Sequence, residues 1–124
     1  MATTHQVMIV EDDEEIRESL VDFLEEHGYQ TIPAVHGRDA LNKLTASNQR
    51  PCLIVLDLMM PVMDGSTFRG QQLQDPNLSS IPVLVISAYK DVDDRAKALS
   101  TMHLKKPLDL RELLRKVQEC CPPS

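Results

Sequence analysis

Long apolar runs are what this chain of 124 residues most plainly lacks. Its uninterrupted aliphatic stretches, such as residues 53–56, stop far short of the roughly 20 residues that cross a bilayer, so no membrane association is expected. A basic surplus is also missing. Thirteen Lys and Arg face 19 Asp and Glu, and the net charge is −6. Nucleic-acid phosphates recruit clustered cations, so direct nucleic-acid binding is not expected either. Cysteine is scarce. Cys52, Cys120 and Cys121 make an odd count, and two of them are neighbours, a poor set for disulfide pairing. Residues 1–5 lack the basic start and long apolar stretch of a secretory leader. The expectation is a reduced, cytoplasmic protein. There are no internal repeats and no low-complexity linker.

What is present suffices for one core. The hydrophobic fraction of 42% and charged fraction of 26% are those of a globular domain. A chain of this size buries roughly two-thirds of its unfolded surface. Residues 1–124 are therefore read as a single domain, with a core over 6–121 and a short tail over 122–124.

Two periods alternate along it. Val7-Met8-Ile9-Val10 is a short β-rich run ending in Glu11-Asp12-Asp13-Glu14-Glu15. Helical spacing follows, with Ile16, Leu20, Phe23, Leu24 and His27 on one face. Asp12 or Asp13 caps its start and Gly28 ends it. Residues 29–35 read as a strand, placed at a sheet edge by Pro33. Residues 38–47 form a short helix with Ala40, Leu41 and Leu44 inward. Residues 52–56 are continuously apolar and end at Asp57. Residues 66–75 form a weak helix, diluted by Gly70 and the polar Gln71 and Gln72. Residues 83–86 are a second buried strand, ending at Ser87. Residues 91–99 are helical and 102–104 a short fifth strand. Residues 108–121 make the clearest amphipathic helix, with Leu110, Leu113, Leu114, Val117 and Cys121 on one face.

Repeated strand–helix alternation predicts an α/β fold with a parallel sheet covered on both faces. Right-handed crossovers make it doubly wound, and such sheets bind ligands beyond the carboxyl ends of their strands. That rim collects Glu11, Asp12, Asp13, Asp57, Ser87, Lys105 and Lys106. Carboxylates about 5 Å apart repel by about 3 kcal/mol per pair at an effective dielectric near 20. A hard divalent cation removes that cost, and Mg²⁺ takes one or two carboxylates together with waters and phosphate oxygens. Asp57 is the natural nucleophile at such a site.

These residues, in this order, resemble the receiver domain of two-component response regulators. The strongest piece is Val55-Leu56-Asp57-Leu58-Met59-Met60-Pro61-Val62-Met63-Asp64-Gly65, similar to the family's strand, acceptor aspartate and following loop. Val10-Glu11-Asp12 with Ile16-Arg17, Val85-Ile86-Ser87-Ala88 and Lys106-Pro107 supply the rest. The resemblance spans nearly the whole chain. It implies a flavodoxin-like (βα)5 fold with strand order 2-1-3-4-5. It implies that Asp57 takes a phosphoryl group from a histidine kinase or histidine phosphotransfer protein. Asp12, Asp57 and the backbone carbonyl of Met59 would bind Mg²⁺ or Mn²⁺, with Glu11 acting through water. Asp13 competes for the ligand role, but the offset to Ile16-Arg17 favours Glu11-Asp12. Ser87, beside Ala88, and Lys106 would hold the phosphoryl group. The change would pass to a downstream target or output domain. The face of the fourth helix, fifth strand and fifth helix is also the expected route to a homodimer.

This chain departs from the pattern in places. The stretch between Ser87 and Lys106 is a few residues short, and His103 occupies a switch position usually held by an aromatic. An alternative is therefore a divergent receiver acting as an interaction module insensitive to phosphorylation. A phosphatase with an aspartate nucleophile needs an acid two residues on, where Met59 stands, and a dinucleotide binder needs a Gly-rich turn after the first strand. No small-molecule turnover is expected, and Met59 and Tyr89 predict slow self-dephosphorylation.

Overall fold

The computed structural model describes residues 5–46, 50–57, 63, 65–87 and 102–122. Strands β1 (Gln6–Val10), β2 (Gln30–Ala34), β3 (Leu53–Asp57), β4 (Val83–Ser87) and β5 (Met102–Lys105) form one sheet. All pair in parallel, in the order β2-β1-β3-β4-β5. Among the described residues four helices accompany them: α1 (Glu14–Glu26), α2 (Gly37–Ala46), α3 (Gly65–Gln74) and α4 (Leu110–Cys120). The fold is flavodoxin-like, as expected. The helix expected over 91–99 lies outside the described residues. No helix among the described residues is long and apolar enough to cross a membrane.

Successive strand residues point to opposite faces, and here both faces are covered. Val7 and Ile9 of β1 join Leu53 and Val55 of β3 in a core closed by Leu20 and Leu24 of α1 and Leu113 and Val117 of α4. Met8 and Val10 join Ile54 and Leu56 in a second core closed by Ala40 and Leu44 of α2 and Phe68 of α3. This is why the central strands read as unbroken apolar runs. Strand β2 pairs only with β1, so Pro33 sits at an edge where its missing N–H costs little.

Asp13 caps α1, its Oδ1 accepting from the Ile16 backbone N–H at 3.0 Å. Gly28 follows the helix end with φ of +89°, a conformation that suits glycine. His27 corrects the helical-face reading. It is exposed, and its Nδ1 donates to the Phe23 carbonyl at 2.8 Å, with the two rings 4.5 Å apart. The last turn leaves carbonyls open, and a side chain that satisfies one has no reason to turn inward. Leu110, placed on the buried face of α4 by periodicity, is 40% exposed because it opens the helix.

Two further corrections come from long-range contacts. Cys52, just before β3, is bonded to Cys121 at the end of α4, with Cα atoms 5.7 Å apart, and Cys120 alone is free. The expectation of three reduced thiols fails for this pair because folding joins residues 69 apart in sequence. In α3, Gln72, read as diluting the apolar face, belongs to the buried interior. It is fully buried, donates to the carbonyls of Leu78 (2.9 Å) and Ile81 (3.0 Å), and accepts from the buried Arg69 at 2.8 Å. These bonds pin the turn that feeds β4.

Replacing Gln72 with Ala strips two buried carbonyls of a donor. The expected loss is about 2–3 kcal/mol in urea unfolding, with an unchanged denaturant slope. A loss below about 0.5 kcal/mol would show that the turn is held by other means.

Candidate functional site

Chain order reverses between β1 and β3, and the carboxyl ends of these two strands flank the crevice. Glu11 follows β1 and Asp57 ends β3. By strand alternation both share the parity of the core under α1 and α4. Ser87 ends β4 one register position beyond the partner of Asp57, and Lys106 follows β5.

The structure brings Glu11, Asp12 and Asp57 together. One oxygen from each lies within 4.8 Å of the others. Glu11 is fully buried, Asp57 nearly so, and Asp12 opens to solvent. Lys106 reaches across them, its Nζ donating to Glu11 Oε1 at 2.8 Å and Asp57 Oδ2 at 3.4 Å. Its backbone N–H donates to the Ser87 carbonyl at 2.9 Å, and its bond to Pro107 is cis. Arg17, one turn into α1, donates from Nη1 to the carbonyls of Glu11 (2.9 Å) and Asp12 (3.4 Å). The helix thereby holds the acidic turn by its backbone and leaves the carboxylates to one another.

Asp13 has a different task. Its side chain is spent on the α1 cap, which spacing left open between Asp12 and Asp13, while Asp12 joins the cluster as the offset to Ile16-Arg17 favoured. Met59 and Ala88 lie outside the described residues. His103 sits in β5 opposite Val85, two positions short of the Ser87–Lys105 pair at the rim. The face expected to support a homodimer includes the helix over 91–99, also outside the described residues.

Two contributors carried no assigned role in the sequence. Arg17 was visible only as part of a motif. Gly37 opens α2, and its N–H donates to the Met63 carbonyl at 3.3 Å. A Cβ there would stand 2.9 Å from Met63 Cγ and 3.0 Å from that carbonyl oxygen, closer than packed atoms come. The absent side chain lets α2 seat against Met63. A glycine at a helix start was its signal.

The electrostatics follow from burial. Burial, then the neighbouring Asp57, pushes the Glu11 carboxyl above its ordinary value against the pull of Lys106. Burial and Glu11 raise Asp12 in the same direction. Burial alone would lower Lys106, but its hydrogen bond to Glu11 and the charges of Asp57 and Glu11 carry it above its usual value. Three carboxylates face one ammonium here. The donor set is all hard oxygen, with one edge open to water, which fits a small divalent cation retaining part of its hydration shell.

A carboxyl with a raised folded-state pKa stabilises the fold fully below its unfolded pKa, and that contribution is lost as pH rises through the folded value. In chelating buffer, the Asp12→Asn variant lacks this loss. Its thermal midpoint is expected to exceed that of the parent by about 2–5 °C at pH 7, a screened repulsion of order 1 kcal/mol, and to converge on it towards pH 4. Parallel melting profiles, or a variant less stable at pH 7, would contradict the repulsion.

Comparison with known proteins agrees with this geometry. The sequence model of the response regulator receiver domain matches residues 7–118. The transcriptional regulatory protein PrrA of Mycobacterium tuberculosis is 38% identical over 120 residues, which cover 94% of this chain and 49% of that protein. This chain thus spans about half the length of that regulator. A chemotaxis response regulator of Vibrio cholerae superposes with a TM-score of 0.84 at 29% identity, covering 95% of this chain and 99% of the other. The signal receiver domain of a signal transduction histidine kinase from Syntrophus aciditrophicus gives 0.83 at 32% identity, covering 94% and 89%. This chain belongs to the response regulator receiver domain family.

Proposed function

We propose that the chain is a phospho-accepting switch of two-component signalling, with Asp57 as acceptor. The observation that carries this reading is the placement of Asp57. It is a nearly buried strand-end carboxylate that shares a cluster within 4.8 Å with Glu11 and Asp12 and lies 3.4 Å from Lys106. An Asp57 oxygen attacks phosphorus in a partner's phosphohistidine. The P–N bond breaks, its electron pair returns to the imidazole, and an acyl phosphate is left on Asp57. Lys106 keeps its charge throughout and shifts from carboxylate to phosphoryl oxygen. Ser87, followed by Ala88, donates its hydroxyl to another oxygen, and movement there passes towards His103. Asp12, Asp57 and the Met59 carbonyl, with Glu11 through water, would hold Mg²⁺ or Mn²⁺. The ion's contribution is to neutralise charge on the phosphoryl oxygens.

An apolar groove of about 620 Å³ opens beside this cluster, lined by Ile16, Ser19 and Leu20 of α1 and by Lys106, Pro107 and Leu108. It supports docking of a helical kinase or phosphotransfer surface next to the acceptor. The chain is proposed to act in the cytoplasm as one domain. Its output is a partner protein or a further domain rather than a turned-over substrate.

Incubation with acetyl phosphate and Mg²⁺ is expected to add one phosphoryl group, stable in acid and labile in base. The label should decay over minutes or longer, since Met59 and Tyr89 are poor at orienting water. Asp57→Asn should abolish labelling, and Lys106→Met should slow it at least tenfold. Undiminished labelling of Asp57→Asn, read by intact mass, would overturn the assignment.

A further inference from the structure

We propose that Cys52 and Cys121 form a reversible thiol–disulfide site, with Cys52 the sulfur at which a low-molecular-weight thiol or disulfide exchanges. This inference is independent of the phosphoryl-acceptor reading. The bond lies before β3, at the end of the sheet opposite the acidic rim. The Cα separation of 5.7 Å lies within the range a disulfide spans without moving the backbone. The end of α4 is positioned independently of the sulfurs. The Tyr29 hydroxyl donates to the Cys121 carbonyl at 2.8 Å, and the Cys121 N–H donates to Val117 at 2.7 Å.

Both redox states are accommodated. When the bond is open, the Cys52 thiol lies 3.2 Å from the Gln6 carbonyl, which also accepts the Cys52 backbone N–H at 2.8 Å and has a second lone pair for the thiol. The Cys121 thiol, fully buried in the core under α1 and α4, then packs as a small apolar group. A structural staple requires only the closed state; this site has a satisfied partner for each.

Access decides the direction of attack. Cys52 is partly exposed and Cys121 is not. An external thiolate therefore attacks the Cys52 sulfur. The S–S bond breaks, and its electron pair leaves on Cys121, which takes a proton. A second thiolate attacks the outer sulfur of the mixed disulfide and releases Cys52, which is protonated in turn. Two external thiols become one disulfide, and the chain gains two electrons and two protons. Oxidised glutathione, a disulfide of the required class, reverses both steps. Cys120 is the wrong neighbour for this chemistry: burial, then Glu119, pushes its thiol up and away from the reactive thiolate. In a reducing compartment, where this chain is proposed to act, a protein disulfide is characteristically transient and redox-sensing.

The full chain is equilibrated in glutathione buffers from fully reduced to fully oxidised, acid-quenched, and its thiols counted and mapped by peptide mass. One free thiol, Cys120, with a Cys52–Cys121 link is expected at the oxidising end, and three free thiols at the reducing end. Closing a loop of this length should raise the melting temperature on the order of 10 °C. Cys120→Ser should retain the difference and Cys52→Ser lose it. Cys121→Ser should trap glutathione on Cys52. Three free thiols at every ratio, a link through Cys120, equal melting temperatures, or a bond that never opens would each overturn the proposal.

Discussion

Repulsion among three carboxylates at one sheet edge is the constraint around which this structure is organised. Glu11, Asp12 and Asp57 crowd within 4.8 Å, and one ammonium answers them directly. Charges with this much burial are not tolerated for the sake of the fold alone, because apolar residues of the same size would pack at lower cost. The rest of the rim is arranged to hold them there. Arg17 grips the backbone of the acidic turn, Asp13 is committed to the α1 cap, and the hydrogen bond from Lys106 to the Ser87 carbonyl keeps β5 alongside β4. The cluster holds a charge imbalance, and in the proposed function its relief by a cation or by a shift of Lys106 is the switching step.

The sheet separates stability from chemistry. On its two faces, apolar side chains fill two cores, and the buried carboxylates Glu11 and Asp57 stand at the strand ends. The carboxyl ends carry the acids, the hydroxyl of Ser87 and Lys106. The amino ends carry the Cys52–Cys121 bond and the Tyr29 clamp on the end of α4. A change at one end therefore reaches the other only through packed strands and the helices along them. Helix α4 touches both regions, since the loop from Lys106 enters it and Cys121 leaves it.

Much of this was legible in the sequence because it is local. Continuous apolar runs gave the buried strands, and the residue after each run had to stand at the rim, so Glu11, Asp57 and Ser87 followed from strand ends, whereas Lys106 was set apart from Lys105 only by the resemblance carried by Lys106-Pro107. The features that were not legible are those decided by partners distant in the chain or by competition between near neighbours. Cys52 and Cys121 looked unpaired because 69 residues separate them. Gln72 looked like a weakness in the apolar face of its helix because the two carbonyls it serves lie in the turn beyond. Asp12 and Asp13 were equivalent as caps by spacing, and only the position of the Ile16 N–H assigns that role to Asp13. His27 matched the helical period but found its carbonyl at the helix end instead. Periodicity reports which face a residue can occupy; it does not report the hydrogen bond that holds it elsewhere.

The most direct test of the central claim is a Mg²⁺ titration followed by thermal unfolding and backbone NMR at constant ionic strength. A saturable rise in melting temperature is expected, with chemical shifts centred on Glu11, Asp12 and Asp57, and Mn²⁺ should broaden the same residues. The rise should vanish in Asp57→Asn/Asp12→Asn. A response no larger than that of a monovalent salt, or one centred away from these strand ends, would contradict a charge-imbalanced cation site at the heart of this domain.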